Sequence, residues 1–184
     1  MSTLRGHFLA ASPQLPDSNF ARTVVLILEH NDHGALGLVL NRPSNTTVRD
    51  LFAQLENQSV ASEHAVRIGG PVEGPVMSLH GEESLADECV LPGVYLTSSK
   101  RGLHKLVTSE VIEYLLFRGY SGWGTGQLEN ELKVGGWLIA AATPELVFTS
   151  PVDELWKRIL EFQGRNVLRD ALGLDEFPDD PTLN

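Results

Sequence analysis

The sequence predicts a single α+β domain. Three observations carry that prediction. At 184 residues the chain is long enough for one sizeable core and short for two. Its 42% apolar and 21% charged residues are ordinary globular values, which excludes a chain disordered throughout, a collagen and a disulfide scaffold. Apolar runs come in series with amphipathic helices between the series, unlike the regular alternation of a parallel βαβ fold.

Arg22 to Glu29 is β-branched and apolar on both faces, so it predicts a buried strand. His30-Asn31-Asp32-His33-Gly34 has the composition of a hairpin loop, and Gly34 to Leu40 predicts the return strand. Thr46 or Thr47 can cap a helix that aligns Val48, Leu51, Phe52 and Leu55 on one face. Strands follow at about Ala65–Ile68, Val76–His80 and Val94–Thr97. Ser98 or Ser99 can start a second helix with Leu103, Leu106 and Val107 inward. Val111 to Phe117 reads as a strand. A glycine-rich turn and a helix from about Thr125 to Lys133 come next. Trp137–Ala141 and Leu146–Thr149 read as two more strands. Ser150-Pro151-Val152-Asp153 opens a helix that Gly164 is expected to end, with Leu155, Trp156, Ile159, Leu160 and Phe162 on its apolar side.

The formal charge is −10, from 14 basic and 24 acidic residues. The longest basic run is Lys100-Arg101, so the chain lacks the basic stripe of a nucleic-acid binder and repels duplex DNA at long range. Five carboxylates, Asp170, Asp175, Glu176, Asp179 and Asp180, gather in the last fifteen residues, and without them the charge is still −5. Residues 166–184 are therefore expected to form an acidic tail on a compact unit spanning 1–165. The longest apolar run, Trp137 to Ala142, has six residues, where a membrane helix needs about 20. No secretory signal stands out, and Cys89 has no second cysteine to pair with, so a reducing cytoplasm is the expected compartment.

The densest feature is Gly119-Tyr120-Ser121-Gly122-Trp123-Gly124-Thr125-Gly126-Gln127. Its glycines permit positive φ and close backbone approach. Two readings stay open: a loop that admits a ligand to backbone N–H groups, or a tight turn whose glycines serve packing. The specific motifs fail. Gln127 breaks the dinucleotide fingerprint, no lysine completes a phosphate loop, and Trp123 stands where a hydrolase elbow needs glycine. Glu129 and Glu131 fall in the early turns of the following helix and complement its positive end. Glu129 can also reach back to the helix N–H groups or across to Arg42. Trp123 either plugs the core beneath the turn or forms a pocket wall with Tyr120. Trp137 and Trp156 are expected in the core.

Asn41-Arg42-Pro43 and Gly69-Gly70-Pro71 are two further rigid turns directly after strands. Arg42 can fork onto a carboxylate. His80 closes a strand and reads as a strand-end histidine before an acid/base group. His30 and His33 bracket a hairpin tip, and their spacing alone is too unspecific for a metal site. No metal and no cofactor is expected. Cys89 has no flanking cation to hold a thiolate.

In order along the chain stand His7-Phe8-Leu9-Ala10-Ala11-Ser12-Pro13, Glu29-His30, Gly34 through Pro43, Gly69-Gly70-Pro71-Val72, Leu79-His80 and Gly119 through Glu129. Together they closely resemble the AlgH/YqgE family of bacterial proteins, over about residues 5–163. The resemblance implies an AlgH-like domain with a bifurcated mixed sheet, part of it barrel-like, surrounded by helices, in a bacterial cytosolic protein. The family carries the label of transcriptional regulator, after a member tied to alginate production. It supplies no catalytic residues, and it often has alanine where Ser121 stands, against a serine nucleophile. The resulting expectation is a non-enzymatic regulator acting through a protein or small-molecule partner, without direct DNA readout or membrane contact. The alternative is a small-molecule-binding domain or enzyme. Its pocket would combine the turns at Asn41–Pro43, Gly69–Pro71 and Gly119–Gln127 with His80 and Glu129.

Overall fold

The computed structural model describes residues 3–15, 17–56, 60–109 and 111–172, without the side chains of 55, 56 and 166–172. Two sheets face each other. The first is antiparallel throughout and holds β1 (His7–Ala11), β2 (Val24–Asn31), β3 (Gly34–Val39), β10 (Ser121–Trp123) and β11 (Trp137–Ala141), in the order β10-β3-β2-β1-β11. The second holds β4 (Pro43–Thr47), β5 (Ala65–Ile68), β6 (Met77–His80), β7 (Glu88–Leu91), β8 (Val94–Thr97) and β9 (Tyr114–Arg118). Its order is β4-β5-β9-β6-β8-β7, and only β5 and β9 run parallel. Five helices complete the fold: α1 (Val48–Glu56), α2 (Lys100–Val107), α3 (Gln127–Lys133), α4 (Pro144–Phe148) and α5 (Leu155–Leu172). Among the described residues no helix is long and apolar enough to cross a membrane.

Neither sheet closes into a barrel. The edge strands β10 and β11 are joined through α3 and form no ladder with each other. The sheets instead meet at Gly69. Its N–H donates to the Arg118 carbonyl of the second sheet at 2.9 Å, and its carbonyl accepts from Val39 of the first at 2.8 Å.

Strand alternation divides β1 and β2 between two cores. Phe8, Leu26, Leu38, Leu79, Leu96 and Phe117 fill the space between the sheets, closed by Leu155 and Ile159 of α5. Leu9, Val25, Ile27, Leu128, Trp123 and Trp137 pack on the outer face under α3. Val48, Leu51 and Phe52 of α1 and Leu103 and Leu106 of α2 cover Leu116 on the second sheet. At roughly 1.5–3 kcal/mol per fully buried large aliphatic or aromatic side chain, these layers dominate folding.

Several expected boundaries move. Leu146–Thr149 is not a strand: Thr143 accepts a bond from the Leu146 N–H, Pro144 opens the turn, and α4 results. Gly164 does not end the last helix. α5 runs to Leu172, across the expected 165/166 boundary, because an isolated glycine costs a helix only about 1 kcal/mol. That helix also starts later than the Ser150 cap, at Leu155, and the strand expected from Val111 begins at Tyr114. Asp175, Glu176, Asp179 and Asp180 lie outside the described residues.

Candidate functional site

The two turns at Gly69–Pro71 and Gly119–Tyr120 are fused. Val72 and Tyr120 exchange N–H···O bonds at 3.0 Å in both directions. A Cβ on Gly69 would overlap the Gly119 carbonyl, and one on Gly70 would overlap the Tyr120 carbonyl. Gly70 and Gly119 take φ of +156° and +72°, which L side chains resist. These glycines therefore let two backbones of this chain touch. Ser121 is fully buried, and its hydroxyl donates to the Gly69 carbonyl at 3.1 Å, so it is structurally committed. Tyr120 lies half-buried against the inter-sheet core, apart from Trp123.

Gly70, Pro71 and Gly119 rim a hollow of about 400 Å³. Its floor includes Ile68 and its wall Arg118, and Ser44 reaches it from β4. Parallel register sets Ile68 beside Arg118, which puts both side chains on one face. Arg67, the preceding residue on β5, borders this hollow as well as the neighbouring one lined by Pro43, but its guanidinium is spent on the backbone. It donates to the Leu40 carbonyl at 2.6 Å, and burial pushes its pKa down to about 10.

The second half of the glycine-rich segment serves two other hollows. Glu129 accepts from His30 Nε2 at 2.8 Å, while His30 Nδ1 accepts from the Leu4 N–H at 3.1 Å. The Leu4 bond fixes the imidazole with its proton on Nε2. Both ring nitrogens are engaged, so His30 positions Glu129 and has no free nitrogen for a metal or a substrate. The bond from His30 holds the Glu129 carboxyl below the usual carboxylate range. Its other oxygen, Oε2, is buried without a hydrogen-bond partner among the described residues. His30, Gly126, Glu129 and Lys133 line a hollow of about 290 Å³. Glu129 thus has a bonding partner and faces a cavity, and that partner is His30, not Arg42.

Trp123, Gln127, Glu131, Phe20 and Trp137 line another hollow of about 290 Å³. Glu131 Oε2 accepts from both indoles, at 2.9 Å from Trp123 and 2.7 Å from Trp137, and Oε1 accepts from Gln127 at 2.9 Å. Trp123 is 5% exposed and Trp137 3%. Trp123 plugs the core under the turn, and Glu131 anchors both rings instead of serving the helix end. Gly124 donates its N–H to the Gln127 side chain at 3.1 Å.

The remaining residues lie elsewhere. Asn41 accepts from the Val24 N–H and donates to the Arg22 carbonyl, each at 2.8 Å, pinning the start of β2. Arg42 donates to the Asn19 carbonyl and meets no carboxylate among the described residues. Pro43 lines a separate hollow with His64 and Tyr114. His80 is fully buried in β6, its Nδ1 accepting from the Glu82 N–H at 3.3 Å and its Nε2 without a partner among the described residues. Burial pushes its pKa below the ordinary histidine value. The three turns, His80 and Glu129 therefore do not share one cavity. Ile68 and Arg118 carry no special signal in the sequence as isolated strand residues, and Glu131, read there as a complement to the helix end, gives no sign that it accepts from two indoles.

A family model described as AlgH-like (DUF179) matches residues 8–168. A UPF0301 protein of Pseudoalteromonas translucida is 36% identical over 175 residues, covering 91% of this chain and 95% of the relative. One of Myxococcus xanthus is 40% identical over 169 residues, covering 89% and 93%. The solution structure of the AlgH protein from Pseudomonas aeruginosa matches with a TM-score of 0.74 at 31% identity, covering 97% of each chain. A Corynebacterium diphtheriae protein of 23% identity shares the fold, with a TM-score of 0.71 over 89% of this chain and 88% of its own. On sequence and on fold, the chain belongs to the AlgH-like, UPF0301 family of bacterial proteins.

Proposed function

We propose that this protein is a small-molecule-binding regulator, acting through a bound ligand and not through direct DNA readout. One observation carries the reading: the fused turns at Gly70–Pro71 and Gly119 form a rigid rim around the hollow of about 400 Å³. That volume lies in the range of small-molecule sites, and a rim locked by paired backbone bonds is pre-organised, which lowers the ordering cost of binding. The charge of −10 disfavours the phosphate contacts that direct DNA binding requires. The regulatory part rests on the label that goes with the family resemblance.

The test is to isolate the protein from its native cell extract under non-denaturing conditions and identify co-purifying small molecules by mass spectrometry. A ligand should raise the melting temperature saturably. Val72→Trp, at an exposed position on the hollow, should block that rise. A protein that carries no small molecule, and that no fraction of the extract stabilises, would remove the reading.

A further inference from the structure

We infer that the hollow rimmed by Gly70 and Gly119 takes an anion attached to an apolar body, a carboxylate or phosphate ester on a hydrocarbon or aromatic frame. The inference rests on the small-molecule reading above and specifies its ligand class. Three features of this one hollow support it.

The first is Arg118. The chain carries 24 acids against 14 bases, yet the Arg118 side chain, exposed on the wall of the hollow, forms no ion pair with any described residue. Glu73 lines the same hollow without pairing with it. A guanidinium left open among so many carboxylates keeps its planar fork for an incoming oxyanion, which it can bind bidentately.

The second is the backbone. Gly70, Glu73 and Gly74 line the hollow. Their amides donate to no described residue, while the neighbouring Val72 N–H is consumed by Tyr120. Unspent N–H groups on a rigid turn are acceptor-seeking and suit the same oxyanion.

The third is apolar. Ile68 and Val72, large aliphatic side chains 43% and 37% exposed, both line this hollow. Register places Ile68 directly beside Arg118. A ligand that covered them would remove apolar surface from water while its charged end met the guanidinium. A bare inorganic anion would leave them wet, and a neutral apolar molecule would leave Arg118 unused.

The experiment is amide NMR of the full chain, titrated with four probes of similar size. Phenyl phosphate and benzoate are the anions, benzyl alcohol the neutral counterpart and benzylamine the cationic one. The anions should shift the Gly70, Glu73 and Gly74 resonances saturably and bind about tenfold or more tighter than benzyl alcohol. Arg118→Ala should weaken the anions by about tenfold or more, the effect of losing one charged hydrogen-bonding partner, with the melting temperature unchanged because Arg118 is exposed and unpaired. Benzyl alcohol or benzylamine binding this hollow as tightly as the anions would overturn the ligand class and leave the small-molecule reading standing. So would anion affinity unaffected by Arg118→Ala, or no shift with any probe. The broader reading falls separately, on the failure of the extract to supply a ligand.

Discussion

Replacing Glu131 by leucine should cost this protein about 1–5 kcal/mol. Its Oε2 is the acceptor for two indole N–H groups, Trp123 at 2.9 Å and Trp137 at 2.7 Å. Both rings are buried, and they meet edge-to-face with centroids 5.9 Å apart. Phe20 closes the group, stacked on Trp123 at 6.0 Å and edge-on to Trp137 at 5.3 Å, so neither indole can swing out to water without breaking aromatic contacts. A buried donor left without an acceptor costs roughly 1–3 kcal/mol, and the leucine would strand two, against which its own burial returns about 1 kcal/mol. Glu131→Gln keeps one carbonyl oxygen and should cost only about 1 kcal/mol. The assay is urea unfolding followed by tryptophan fluorescence, where the midpoint should fall with the slope unchanged. In a Trp123→Phe background one of the two donors is already gone. There the leucine should cost about 1–3 kcal/mol less, a coupling readable in a double-mutant cycle. A Glu131→Leu cost under about 1 kcal/mol, or strict additivity in the cycle, would refute the idea that one carboxylate anchors both rings.

Glu129→Gln should lower stability by about 1–2 kcal/mol at neutral pH, since the bond to His30 loses its charge. The carboxyl is held below its ordinary value of 4.5 by that bond. Its contribution is therefore full above 4.5 and lost as pH falls through the depressed folded value. The melting-temperature gap between parent and variant should shrink in acid, and a gap constant from neutral to strongly acid pH would exclude the assignment. Trp137→Ala should cost about 3–5 kcal/mol, the range for a large aromatic lost from a core. Trp156→Ala should cost less, about 1.5–3 kcal/mol, because that ring is only partly buried at the edge of the core, with Arg22 over its face and its indole donating to Ala11; equal losses in calorimetry would contradict this ordering. Duplex DNA should not bind specifically at physiological salt, and a sub-micromolar complex weakening steeply with added salt would show otherwise.

What the sequence determined by itself is what a local period encodes. Val24–Leu28 shows apolar residues on both faces, and the structure buries both. The spacing of Val48, Leu51 and Phe52 marks one helical face, and α1 packs that face down. The α+β class follows from such segments, because burying a face constrains the residues of a single element. The motif order identified the family. What the tertiary structure decided is who meets whom. Ser121–Trp123 looked like part of a turn, and only pairing with Gly37, Leu36 and Ala35 makes it a strand. Gly69 looked like one glycine turn among several, and only the meeting of two sheets makes it their junction. Glu129 was legible as a residue to watch, but its partner His30 is 99 positions away. Arg118 and Ile68, fifty positions apart, share a face only through the parallel register of β5 and β9. A strand's period states which side is buried and is blind to which strand lies alongside. Register is fixed by the whole chain packing at once, so the hollows and their chemistry first exist in the folded protein.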